Sequence, residues 1–321
     1  MIQHVLMQTV CLRGFDAGVS ALRHDLGFEL RGRGVVDPGL ARVWGVNASA
    51  HPRFAVLSAP GVSRGFIRLV EGPADDETGT FHKQGMFNAE LLTRDVEALF
   101  ARLKGSSNFP IVSELNTYDL SGAGGGAVSR SFATRGPGGA GFFFTQYLKV
   151  PPPRTLPVCE TLVGPMFNAA VSIDLRPLVE IFYEKTLGMR LRLAGRLTQP
   201  SVNRIIGLPD DWGFMMLVYK GEGDGLIEVD IHEHHLPAGP PIADDRLRPG
   251  NSMLTVETSD LEDVLGRAAE AGFTGTAAEL MAAAPYDGRR AAVLRGPAGE
   301  RIEVVESRPA TSSSPGPPRA N

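Results

Sequence analysis

The chain has 321 residues, 43% of them hydrophobic and 21% charged, and 36 acidic against 32 basic side chains give a formal net charge of −4. That is enough apolar matter for about two domains, and the charge balance excludes a polybasic nucleic-acid binder, a disordered acidic tail and a protein drawn to anionic membranes. Two cysteines, Cys11 and Cys159, exclude a disulfide framework or a thiolate zinc site.

No apolar run reaches the roughly 18 residues of a membrane span, and Met1–Met7 lacks the basic start of a secretory signal. A soluble, cytoplasmic protein is the expectation. The surplus lies in 38 glycines and 24 prolines, and their positions organise the rest.

In chain order, the first landmarks are Leu26-Gly27-Phe28 and the alternating run Gly65-Phe66-Ile67-Arg68-Leu69. Met86-Phe87-Asn88-Ala89 opens a second unit, which continues through glycines from Gly122 to Gly141. No Gly-Lys-Ser/Thr follows them, so they read as a loop running into a hairpin and not as a phosphate cradle; no nucleotide cofactor is expected. That hairpin, Arg135-Gly136-Pro137-Gly138-Gly139, precedes Phe142-Phe143-Phe144. Pro151-Pro152-Pro153 has the composition of a semi-rigid spacer.

The pattern then starts again. Asn168 to Asp174 alternates with Ala169, Val171 and Ile173 on one face, and Asp174 leads into Leu178, Ile181, Phe182 and Leu187 at helical spacing. Gly225-Leu226-Ile227-Glu228-Val229 repeats the run at Gly65 at an offset of 160 positions, and Arg295-Gly296-Pro297-Ala298-Gly299 repeats the hairpin at Arg135 at the same offset. Met166-Phe167-Asn168-Ala169 repeats Met86-Phe87-Asn88-Ala89 at an offset of 80. Ser259-Asp260 caps a last helix carrying Leu261, Val264, Leu265 and Ala268. Four units, each a strand, a helix and three strands, make an α+β protein. The tail after Ser307 has no apolar residue larger than Ala or Pro and is read as disordered.

Val179 to Met189, ending in Leu187-Gly188, and Arg295 to Val304 resemble the first helix and last hairpin of the vicinal oxygen chelate superfamily. Its members include glyoxalase I, extradiol dioxygenases and bleomycin-binding proteins. The resemblance implies four βαβββ modules in two pairs, with curved mixed sheets around a cavity. The expected division is 1–150 as an N-terminal module pair with a degenerate site, 151–163 as a linker, 164–306 as a C-terminal pair with the active site, and 307–321 as the tail. Edge strands in this fold also offer a route to a homodimer.

In that family, ligands come from the first and last strands of paired modules. Carried over, this places Asn168 and Asn251 on first strands and Glu228 and Glu303 on last strands. Alternation supports the carboxylates independently: Ile227, Val229 and Ile231 face the helix layer, so Glu228, Asp230 and His232 share the other face. Asparagines stand where the family usually has histidine, so the set suits one hard divalent ion, Mg²⁺ or Mn²⁺ over Zn²⁺ or Fe, or else a metal-free hydrogen-bonded pocket.

The aligned last-strand positions of the first half hold Arg68 and Phe143. Arg68 is read as a substrate-anion contact or as an ion pair plugging a cavity. His234 and His235 run into a loop, and Trp44, Trp212 and the cysteines are read as packing. The resulting expectation is a small-molecule isomerase or lyase using Glu228 and Glu303 for acid–base work. Asn168, Asn251, His232, Asp230 and Arg68 are the expected substrate contacts. The alternatives are a metal-free binding protein or a ring-cleaving dioxygenase. If the modules pair first with fourth and second with third, the four residues split, and Asn88 joins Asn168 and Glu228.

Overall fold

The computed structural model describes the chain except residues 48–50, 73, 76–79, 121–125, 151–156, 158, 175, 234, 237–245, 282–285 and 309–321. Most of the proline-rich spacer, the tail beyond residue 308, Gly122 to Gly125 and His234 therefore lie outside the described residues.

The first module comprises β1 (Ile2–Leu12), α1 (Phe15–Asp25), β2 (Glu29–Val35), α2 (Pro38–Trp44), β3 (Arg53–Ser58) and β4 (Phe66–Glu71). The second is β5 (Gly85–Thr93), α3 (Val96–Leu103), β6 (Asn116–Asp119), β7 (Val128–Arg135) and β8 (Gly141–Lys149). The third starts with β9 (Val163–Ile173) and a π-helical turn, Ile181–Thr186, then β10 (Arg190–Thr198), α4 (Pro200–Ile206), β11 (Gly213–Lys220) and β12 (Leu226–Ile231). The fourth is β13 (Gly250–Thr258), α5 (Leu261–Glu270), β14 (Glu279–Met281), β15 (Arg289–Arg295) and β16 (Arg301–Glu306).

Local chemistry accounts for these elements. The Asp260 side chain accepts from the Asp263 amide at 3.0 Å and starts α5, which buries Leu261, Val264 and Ala268. Asp95 caps α3 in the same way through the Ala98 amide. In the third module the wider π pitch replaces the expected α-helix. Phe182, Tyr183 and Thr186 are buried, and Leu178, expected on the apolar face, is 49% exposed. The two Gly-Pro hairpins close alike, Gly136 N to Ala140 O at 2.7 Å and Gly296 N to Glu300 O at 2.9 Å. Gly138 adopts φ +70° against β1, where a Cβ would stand 2.7 Å from that of Leu12.

The strands form two curled eight-stranded mixed sheets, in the orders β14-β15-β16-β13-β1-β4-β3-β2 and β10-β11-β12-β9-β5-β8-β7-β6. In every module the first strand runs parallel to its own last strand. This leaves one free edge on each first strand, and another module's first strand closes it antiparallel. β9 closes on β5, and β1 closes on β13. The modules therefore pair second with third and first with fourth. The division into an N-terminal and a C-terminal pair does not describe the sheets, because a repeat shows which modules are alike and not which edges meet.

The apolar alternation holds. Ala169, Val171 and Ile173, then Ile227, Val229 and Ile231, then Ile302 and Val304 all enter one core that draws on both sheets. The opposite face of each sheet is thereby left to its own set of side chains.

Candidate active site

The sheet of the second and third modules encloses a cavity of about 340 Å³ on the face opposite the core, in the size range of small-molecule sites. Strand alternation fills its floor. Ala89 and Leu91 of β5 go into the core, so Asn88 and Glu90 enter the cavity. The same rule brings in Asn168 from β9, and Glu228 and Asp230 from β12. Phe143, Tyr147 and Phe167 form much of the wall.

Register brings the polar groups together. Glu90 stands opposite Asn168 across β5 and β9, and Glu228 lies opposite Ala170 on the far side of β9. The Asn168 amide nitrogen donates to Glu90 Oε2 at 2.8 Å and to Glu228 Oε2 at 3.0 Å. The Thr145 hydroxyl donates to the other Glu90 oxygen. One amide thus holds two carboxyl groups together.

Burial dominates the electrostatics. It raises the Glu90 carboxyl above its usual range. Burial, then the Glu90 charge, pushes Glu228 up to about 8, and burial with both neighbours raises Asp230 well above the ordinary aspartate value. Among the described residues, no salt bridge relieves any of the three. The side-chain oxygens Asn88 Oδ1, Asn168 Oδ1 and Asp230 Oδ1 are buried without a hydrogen-bond partner.

The other expected site residues lie elsewhere. Glu303, on the other sheet, accepts from Arg68 at 3.0 Å, Thr255 at 2.6 Å, Tyr286 at 2.7 Å and the Trp44 indole at 2.6 Å. The Arg68 guanidinium lies 4.5 Å from the centre of the Trp44 ring. These buried side chains fill the face equivalent to the cavity, so Arg68 is the plugging ion pair and Trp44 more than packing. Asn251 sits between the sheets, where its Oδ1 accepts from Gly141 N at 2.7 Å and Thr80 Oγ1 at 3.2 Å. His232 shares the strand face of Glu228 but stands beyond the cavity lining, 4.9 Å from the Phe214 ring, and burial lowers it to about 4.

The four expected ligands therefore do not converge. Asn168 and Glu228 meet, Glu303 belongs to the other sheet, and Asn251 belongs to the joint between sheets. Sequence reading missed Glu90. The alternation that exposed Glu228 also marks it, since Asn88 and Glu90 interleave with Ala89 and Leu91.

The donor set suits a hard divalent ion in its chemistry. Glu90, Glu228 and the unpartnered Asn168 carbonyl oxygen would hold it, with the Asn168 amide turned over from its present donating pose. No cluster of three His, Cys, Asp or Glu side chains placed for a metal occurs among the described residues.

Solved structures share this architecture. Glyoxalase I from Zea mays superposes with a TM-score of 0.61 at 15% identity, covering 94% of this chain and 92% of that one. A protein from Bacillus subtilis, provisionally named a dioxygenase, gives 0.60 at 14% identity over 96% of this chain and 86% of its own. No protein-family model and no curated protein matches the chain. At these identities the likeness is one of fold alone, the curled mixed-sheet fold shared with glyoxalase I. The likeness runs nearly the length of both chains, and in this chain the shared fold is built of four modules in two sheets. Among the described residues no helix is long and apolar enough to cross a membrane.

Proposed function

We propose that the chain is an enzyme that moves a proton at a carbon next to a carbonyl in a small organic molecule, as an isomerase or lyase. The observation that carries this reading is Glu228, a cavity carboxyl raised to about 8 and tied through Asn168 to a second carboxyl, Glu90. A base whose proton affinity lies near working pH transfers protons efficiently in both directions.

Glu228 takes the proton from carbon, and the electron pair of the broken C–H bond moves onto the carbonyl oxygen. Asn168 donates to the Glu228 carboxylate and holds it in place. Asp230, kept neutral by burial, donates a hydrogen bond to the oxygen on which charge develops. Return of the proton to a neighbouring carbon isomerises the substrate, and expulsion of a group from that carbon makes the reaction a lyase step.

A magnesium or manganese ion held by Glu90, Glu228 and Asn168 would supply Lewis-acid polarisation of the same carbonyl. The buried carbonyl oxygens of Asn88 and Asn168 support this second form. Ring cleavage of the two-histidine type lacks support, since among the described residues no histidine lines the cavity.

The test is solvent exchange. A panel of small ketones and 2-oxo acids is incubated in D₂O with the protein, with and without Mn²⁺, and carbon-bound deuterium is read by NMR. Exchange that Glu228→Gln abolishes supports the proposal. A ligand that binds and is recovered unexchanged assigns a binding protein instead.

A further inference from the structure

The cavity changes character from floor to mouth. Its floor is acidic and hydrogen-bonding, and its middle is aromatic, with Tyr147 edge-on to Phe167 at 5.7 Å between ring centres. The mouth carries Arg192 on β10 and Lys220 on β11. Arg192 is exposed and Lys220 half-buried, and neither has an anionic partner among the described residues. Asp224 stands at the same mouth, but Arg64 engages it at 3.7 Å and its backbone N–H donates to His4.

We infer that the site takes a small aromatic molecule bearing one carboxylate or similar anionic group. The ring lies against Phe143, Tyr147 and Phe167, the anion meets Arg192 and Lys220, and a neutral carbonyl end reaches Glu228. The inference rests on the proton-transfer reading for what happens at the floor.

Physical chemistry fixes this orientation. An anion at the floor would lie among three acidic groups with no buried counter-charge, which is expensive in a desolvated site. A cationic ligand would have to enter past two unpaired cations, whose field favours anions at the mouth. The aromatic walls reward a flat apolar body and offer the tyrosine ring edge-on.

The experiment is calorimetric titration of the full chain with 3-phenylpropanoate, 3-phenylpropanamide and 3-phenylpropylamine. The acid is expected to bind about tenfold or more tightly than the amide, as one charge-assisted contact provides, and the amine is expected not to bind. Arg192→Gln and Lys220→Gln each weaken the acid by about tenfold and leave the amide unchanged. Added salt weakens the acid selectively, because the mouth is open to solvent. Equal binding of acid and amide, preference for the amine, no binding by any of the three, or rim variants that leave the acid unaffected would overturn the inference. Because the readout is binding, a failure of deuterium exchange leaves this preference measurable. Exchange that persists without the preference removes only the substrate class.

Discussion

Arg68 and Glu303 form a buried ion pair at 3.0 Å, and the positions equivalent to them by the 160-residue repeat are Glu228 and Phe143. In one sheet the two last strands supply opposite charges that neutralise each other, with Trp44 and Tyr286 closing the space. In the other, a phenylalanine stands where a counter-ion would be needed. Glu228 is therefore left in an open cavity, with Glu90 across from it and the amide of Asn168 between. One repeat has become a plug and its sister a candidate site.

The plug is structural, so its loss should be felt in stability. Glu303→Gln leaves the Arg68 charge buried without its partner and is expected to destabilise by about 3–5 kcal/mol in urea unfolding. The paired change Arg68→Met with Glu303→Leu should regain most of that. Both proteins, where folded, should keep the binding and exchange properties of the other sheet; loss of exchange in the folded double variant would place chemistry in the plugged face.

Stability should fall as pH rises from about 4.5 to 8. Glu228 moves from an ordinary 4.5 to about 8 on folding, so between those values the folded chain binds a proton that the unfolded chain has released. Its contribution is fully present below 4.5 and lost by the time pH passes 8, at about 1.4 kcal/mol per pH unit within the window. Glu90 and Asp230 act in the same direction. Glu228→Gln should therefore be more stable relative to the wild type at pH 8 than at pH 5, and identical pH slopes would refute the assignment.

Glu90 adds to the proton affinity that burial gives Glu228. Its charge is the second cause, after burial, of the raised value, so Glu90→Gln should lower it. The rising limb of exchange rate against pH should then move to lower pH, with little change in ligand affinity. A limb that stays in place means that the two carboxyls are not coupled in solution.

Asn168→Asp tests the ion. Without metal, a third carboxylate between Glu90 and Glu228 adds repulsion, and the melting temperature in chelator should drop by several degrees, as ~1–2 kcal/mol would produce. Mn²⁺ should restore it, and calorimetry should show tighter Mn²⁺ binding than in the wild type. A variant as stable in chelator as the wild type and indifferent to Mn²⁺ would argue against any ion held by Glu90, Glu228 and residue 168.

What the sequence determined by itself is whatever depends on near neighbours. The offsets of 160 and 80 residues together announced four like modules, the cap at Asp260 announced α5, and the two-residue period separated Ile227, Val229 and Ile231 from Glu228 and Asp230. Applied to Asn88-Ala89-Glu90-Leu91, the same period would have found Glu90. The Leu178 face failed because Leu178 falls in the turn ahead of the helical segment, which buries Val179, Phe182 and Tyr183 instead. Only the tertiary structure decided that β5 closes on β9 and β1 on β13. Edge closure joins strands far apart in the chain, and any first strand offers the same backbone groups to any other. That one choice gave Glu228 the company of Glu90 instead of Glu303, and so separated a carboxyl facing a cavity from one neutralised by Arg68.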